Sequence, residues 1–221
     1  SIVRPIIKKK KEKISKKIIN KINSLKRNVM IVGASQGVGN DFFNLIKINK
    51  KIVIIPTYFK NKIASNKNII SKKIDLNKDL SKVQVLIKKY SPINVYYFAS
   101  SKIFFHNFLT ATQIKEFKNY FLNLPTKIIQ MNQKQDMYFF YPSTKYININ
   151  KNSIYSKIKI KAEKKISVLC KKFLITHEII RLDAIQSRQT INLKDEKIPS
   201  LNDYINNKDL NISKLLFLDK N

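Results

Sequence analysis

All three glycines of this 221-residue chain fall within seven positions, Gly33-Ala-Ser-Gln-Gly37-Val-Gly39. The apolar run Val29 to Val32 before them reads as a short buried strand, and Asn40 to Ile48 after them reads as a helix. Glycines let a chain turn sharply and bring its backbone close to a ligand. A helix N-terminus presents free N–H groups and a partial positive charge. Strand, glycine loop and helix in that order point to a bound pyrophosphate, with Gly33, Ser35, Gln36, Gly37, Val38 and Gly39 as its contacts.

The net charge of +30 suggests nucleic acid at first sight. Its make-up argues otherwise. The chain has 40 Lys but only 4 Arg, together with 37 Ile and 24 Asn. Arginine supplies the planar fork that grips phosphate, and a chain selected for nucleic acid would be expected to keep it. Drift toward AT-rich codons accounts for the lysine, so nucleic acid is not expected as a primary partner. A single cysteine, Cys170, excludes a disulfide framework and reads as core packing. His106 and His177 belong to no metal-like cluster. No apolar run reaches the length of a membrane span, and nothing reads as a secretory signal, so a cytoplasmic location is expected.

Residues 1–27 hold 11 Lys+Arg and one acid, with Ile14, Ile18, Ile19, Ile22 and Leu25 at helical spacing. They read as a basic N-terminal arm or linker with one face resting on the domain, and residues 28–221 as the domain itself. Beyond the glycine loop, strands are predicted at Lys51 to Ile55, ended by Pro56, and at Asn94 to Phe98, Met137 to Tyr141 and Thr176 to Leu182. Helices are predicted at Asp79 to Tyr90, at Ile114 to Ile129 with a break near Pro125, and at Tyr155 to Lys172. Leu215 to Asp219 reads as a last strand. Strands alternating with long helices give an α/β fold, a Rossmann-like, doubly wound parallel sheet flanked by helices in a single domain.

The Gly-Ala-Ser-x-Gly-x-Gly spacing, together with Ser143 and Tyr155-Ser-Lys-Ile-Lys159 downstream, resembles the short-chain dehydrogenase/reductase superfamily over roughly Asn28 to Thr190. The resemblance implies a nicotinamide cofactor. The loop after the second strand, Pro56-Thr57-Tyr58-Phe59-Lys60-Asn61-Lys62, lacks the acid that holds the ribose hydroxyls of NAD. NADP(H) is therefore expected over NAD(H), with Lys60 as partner for the 2′-phosphate. By the same resemblance Asp75 lies near the adenine, Ala99 lets the backbone approach the cofactor, and Thr190 bonds the nicotinamide amide. Phe98-Ala99-Ser100 stands where the family commonly has Asn-Ala-Gly, and the usual Pro-Gly after the sixth strand is absent.

Tyr155 and Lys159 are spaced to share one helix face. The resemblance makes Tyr155 the proton donor to a carbonyl that accepts hydride. It gives Lys159 two tasks, lowering the phenol's pKa and holding the nicotinamide ribose. Ser143 then donates to the substrate oxygen, with Thr144 as the fallback if Ser143 points away. Asn123 fits the family's additional helix asparagine, with Asn119 as competitor.

These readings lead to an NADPH-dependent carbonyl reductase. The apolar loop residues Ile103, Phe104, Phe105 and Phe108 favour an apolar or acyl-type ketone, such as a 3-oxoacyl group. A basic surface suits an acidic acyl carrier protein, and the first residue, Ser1, fits a reductase piece of a larger polyketide or fatty-acid synthase. Homo-oligomerisation is left open. Two alternatives stand beside this reading. One is a nucleotide-binding scaffold without turnover; the other is a nucleic-acid or membrane-surface binder that uses the basic arm.

Overall fold

The computed structural model describes residues 15–101, 109–183, 185, 198, 201–206 and 215–216. Six parallel strands form one sheet in the order β3-β2-β1-β4-β5-β6. They are β1 (Asn28–Val32), β2 (Ile54–Tyr58), β3 (Lys72–Lys73), β4 (Ile93–Tyr97), β5 (Met137–Thr144) and β6 (Thr176–Leu182). The order reverses between β1 and β4, which is where sheets of this kind bind ligands, at the carboxyl ends of the strands.

Helices cover both faces. Helix α1 (Lys16–Asn23), α2 (Gly37–Ile46) and α8 (Leu201–Asn206) share one core layer, with Val29, Ile31, Tyr96, Tyr138 and Phe140 from the sheet. Helix α3 (Leu80–Tyr90), the pair α4 (Ala111–Lys118) and α5 (Leu124–Met131), and α7 (Ile154–Lys172) enclose the other, with Val95, Tyr97, Phe139 and Tyr141. A short helix, α6 (Tyr146–Ile149), lies between β5 and α7. Residues along each central strand alternate between the two layers. Such strands read as continuous apolar runs because a parallel sheet is buried on both sides. The doubly wound α/β architecture expected from the sequence is the one observed.

Several boundaries differ from expectation for identifiable reasons. The second strand does not end at Pro56 but runs through it to Tyr58. Ile54 and Tyr58 direct their hydrogen bonds toward the β3 side, through Ile54 N to Asn68 O and Ile74 N to Tyr58 O. The missing N–H of Pro56 falls on that same side, where β3 pairs over only two residues. Strand β5 likewise continues through Pro142 to Thr144, past Phe140, the last residue paired with β4. The segment read as a basic arm carries α1, whose Ile18 and Ile22 are buried with Leu25 against the domain. Asn49 Nδ2 secures this by donating to Ile22 O at 2.7 Å. Leu215 and Leu216, expected in a last strand, are helical and buried, and residues 217–219 of that expectation lie outside the described residues. Among the described residues, no helix is long and apolar enough to cross a membrane, and no group of metal-ligating side chains occurs.

Candidate active site

The glycine loop closes the crevice at the carboxyl end of β1. Gly33 takes φ +87°, and a Cβ there would stand 2.7 Å from both Cα and N of Ala99, at the end of β4. Only glycine permits that conformation and that approach together. Gly37, the first residue of α2, has φ +60°. A Cβ on Gly39 would lie 2.1 Å from Gly33 O and 2.9 Å from Phe98 Cβ, so its hydrogen lets α2 pack onto the strand ends. Thr57 of β2 fastens the loop: Gly33 N donates to Thr57 Oγ1 at 3.0 Å and Ala34 N to Thr57 O at 2.8 Å.

Gln36 caps α2 without a side-chain hydrogen bond. The first-turn N–H groups of the helix are therefore not taken by a cap and suit an anionic ligand. Gln36 is exposed, while Ser35 and Val38 are half-buried beside it. These residues fit a dinucleotide pyrophosphate. Ala99 lies against Gly33, as a close backbone approach requires. Lys60 is exposed two residues past the end of β2, and that loop holds no acid. Asp75 is half-buried and already accepts from Asn77 N at 3.0 Å in its own turn. Thr190 and residues 103–108 lie outside the described residues.

The second cluster stands at the carboxyl end of β5. Here the structure keeps the expected residue types but connects them differently. Tyr155 packs its ring among Phe117, Phe121 and Tyr146, with centroids 5.9, 5.4 and 6.3 Å away. Burial pushes its phenol above the usual tyrosine range, and a hydrogen bond with the Thr144 side chain works in the opposite direction. Thr144 Oγ1 is itself held by accepting from Tyr146 N at 3.1 Å. Ser143 is buried and points away, donating to Glu163 Oε1. Ser143 shares the α7-facing side of β5 with Phe139 and Tyr141, but it is drawn to Glu163, about two turns along the helix from Tyr155.

Lys159 is also buried. Its ammonium donates to Tyr141 Oη at 3.1 Å and to Pro142 O at 2.7 Å. Burial lowers its pKa to about 7, and the neighbouring Glu163 charge works against that. Where the sequence reading has Lys159 lowering the Tyr155 phenol, the structure places its ammonium on Tyr141, and burial raises the phenol. Asn123 is exposed on the π-helical turn Asn119–Asn123, whereas Phe121 of that turn faces the Lys159 ammonium at 4.8 Å. Asn119 is no substitute, since its Nδ2 donates to Asn77 Oδ1 at 2.6 Å.

Three residues of this network were not singled out as site residues from the sequence. Glu163 accepts from Ser143 and from Arg181 at 3.0 and 2.7 Å. Burial opposes its charge, but the hydrogen bonds from Arg181 and Ser143 prevail and hold the carboxyl below its usual range. The third is Tyr141. A signal for Glu163 was present: Tyr155, Lys159 and Glu163 follow one another at four-residue spacing, a single helix face. Tyr141 and Arg181 are brought in by strand pairing that no local pattern encodes.

No protein-family model matches the chain, and no curated protein matches it. Solved structures do. A short-chain dehydrogenase from Sphingobium yanoikuyae in complex with NADPH superposes with TM-score 0.64 at 13% identity, over 82% of each chain. The bulky-bulky ketone specific alcohol dehydrogenase from Comamonas testosteroni gives 0.63 at 14% identity, over 83% of this chain and 80% of that one. UDP-glucuronic acid 4-epimerase from Bacillus cereus, in complex with NAD, gives 0.58 at 16% identity. There the match covers 72% of this chain and only 56% of the epimerase. The glycine loop at the sheet's switch point, the tyrosine and lysine on α7, and these superpositions agree on one architecture: the chain has the short-chain dehydrogenase/reductase fold.

Proposed function

We propose that the protein is an NADPH-dependent reductase of carbonyl compounds in which Tyr155 is the proton donor. The observation that carries this reading is the placement of Tyr155 and Lys159, one turn apart on α7, against the carboxyl end of β5, the end of the sheet that also holds the glycine loop. NADPH, when bound, supplies the hydride. The glycine loop and the first turn of α2 hold its pyrophosphate, and Lys60 meets the 2′-phosphate where an acid would repel it. Thr144 steadies the carbonyl oxygen in the place first expected of Ser143, and Tyr155 delivers the proton as charge develops there. The substrate is an apolar or acyl-type ketone, free or carried on an acidic acyl carrier protein, and the protein works in the cytoplasm. NADPH and a ketone-specific enzyme among the similar structures support the cofactor and the reaction class.

A second reading, a nucleotide-binding protein without turnover, is favoured by one pair of observations: Ser143 is committed to Glu163 and Lys159 to Tyr141. One assay separates the two. NADPH oxidation is followed with a panel of 3-oxoacyl thioesters and simple ketones, comparing the wild type with Tyr155→Phe. Loss of the proton donor is expected to lower the rate by about 10²–10⁴-fold. Turnover that survives the substitution overturns the role of Tyr155. NADPH binding without turnover on any substrate establishes the second reading, and NADH bound as tightly as NADPH overturns the cofactor preference.

A further inference from the structure

Pro125 leaves two backbone acceptors that the helix cannot use. In the stretch from α4 through the π turn into α5, an α-type bond to Phe121 O needs the N–H of residue 125. A π-type bond to Tyr120 O needs the same N–H, and proline has none. Leu124 N–H instead reaches back to Asn119 O. Both orphaned carbonyls are taken by tyrosines from the sheet: Tyr97 Oη donates to Tyr120 O at 2.7 Å, and Tyr141 Oη donates to Phe121 O at 2.8 Å.

A phenol has a single proton to donate. With that proton committed to Phe121 O, Tyr141 can meet an ammonium only as an acceptor, and Lys159 Nζ donates to it at 3.1 Å. The ring adds to the hold: Nζ lies 4.4 Å from the centroid of Tyr141 and 4.8 Å from that of Phe121. π turns of this kind occur often at functional sites, and here the turn has an identifiable consequence for a site side chain.

We propose that Tyr141 is a positioning residue for the candidate site: its hydroxyl, oriented by the carbonyl that Pro125 leaves free, holds the Lys159 Nζ on the Tyr155 face of α7 and favours the ammonium over the neutral amine. The consequence for catalysis rests on the reductase reading, whereas the placement of Lys159 does not. The ionisable groups around Lys159 come from three strands and a helix. They are Tyr141 on β5, Tyr97 on β4 behind it, Tyr155 and Glu163 on α7, and Arg181 on β6 through its ion pair with Glu163. Of these, Tyr141 accepts a hydrogen bond from the ammonium directly.

The test uses the full chain with lysine labelled with ¹³C at Cε and no nucleotide present. The Lys159 signal is identified by its loss in Lys159→Met. It is then titrated in the wild type and in Tyr141→Phe, which keeps the ring and removes the hydroxyl, both the acceptor for Lys159 and the donor to Phe121 O. The wild-type midpoint is expected near 7. The substitution is expected to lower it by about one unit, a tenfold shift in the protonation equilibrium. An unchanged midpoint in a folded Tyr141→Phe overturns the proposal. If that variant does not fold, the wild type decides alone. Two rings so close displace the Lys159 ε-methylene protons upfield of all exposed lysines, and an undisplaced signal overturns the placement. Because no step depends on turnover, a wild type inactive on every ketone removes the reductase reading and leaves this result standing.

Discussion

The two halves of the candidate site are specified by different parts of the chain. At β1 and α2 the backbone carries the information: positive φ at Gly33 and Gly37, and approaches that leave no room for a Cβ at Gly33 and Gly39. At β5 and α7 the side chains carry it, through hydrogen bonds whose partners come from four separate elements. A backbone requirement restricts a position to one residue type and so stays legible in sequence. A side-chain network restricts only the sum of its partners, and the same Ser, Tyr and Lys can be wired in more than one way.

The largest expected effect breaks the first half. In Gly39→Ala the new methyl must displace Gly33 O, a backbone atom 2.1 Å away, or push α2 off the strand ends. Overpacking of this kind destabilises by about 1–3 kcal/mol, and the displaced loop is the one proposed to hold the pyrophosphate. Thermal unfolding and NADPH fluorescence titration should both register the change, with binding lost at concentrations that saturate the wild type. Gly37→Ala is the comparison. It meets an unfavourable φ of +60° and is expected to cost about 1–2 kcal/mol, with binding weakened rather than lost. Equal binding by Gly39→Ala and the wild type would show that the loop does not serve a nucleotide.

The contrast between the halves also explains what the sequence revealed and what it hid. The glycine loop and the alternation of strand and helix were legible, because parallel strands buried on both faces stand out as apolar runs even in a lysine-rich chain. The limits of β2 and β5 were not. Pro56 and Pro142 look like strand ends until the neighbouring strands show which ladder positions go unpaired. Helix α1 was legible as an amphipathic pattern, but its burial depends on Asn49, beyond α2, reaching back to Ile22 O and Leu25 O. In the second half, Tyr155 and Lys159 could be placed on one helix face by spacing alone. Ser143, on the side of β5 that meets α7, is taken by Glu163, which Arg181 of β6 holds in place. The capture of Lys159 by Tyr141 follows from the missing N–H of Pro125.

A smaller effect sharpens the second half through pH. The Lys159 pKa in the folded chain, about 7, lies below the value of about 10.4 expected when unfolded. Between those values the unfolded chain binds a proton that the folded chain does not, so stability rises with pH. The burial penalty is in full force below about pH 7 and gone above about pH 10, with a slope on the order of 1 kcal/mol per pH unit between. Lys159→Met lacks this group. Relative to the wild type it should be most stable near pH 6 and lose its advantage steadily toward pH 10, as read by urea unfolding at fixed ionic strength. The tyrosines of the cluster, raised by burial, titrate above that window in both proteins and cancel in the difference. A pH-independent difference would mean that Lys159 keeps an ordinary pKa and is not sealed among Phe121, Tyr141 and Pro142.

The smallest effect separates two neighbouring hydroxyls. If the second half works as wired, Thr144→Val removes the group that bonds Tyr155 and Ser143→Ala removes one that does not. Under the reductase reading, Thr144→Val should lower kcat by about tenfold or more, the loss of one hydrogen bond to developing charge, about 1.4 kcal/mol. Ser143→Ala should leave kcat within a few fold. Its effect appears in stability instead, because Glu163 loses one of the donors that hold it ionised beside Arg181. The pH dependence has a definite sign: the Glu163 carboxyl is held below its usual range, so its contribution is present at neutral pH and is lost as pH falls through that depressed value. Ser143→Ala should therefore narrow the stability difference between neutral and acid conditions, while Thr144→Val leaves it unchanged. The reverse pattern, with kcat following Ser143 and stability following Thr144, would mean that Ser143 leaves Glu163 for the substrate and that the order expected from the sequence was the working one.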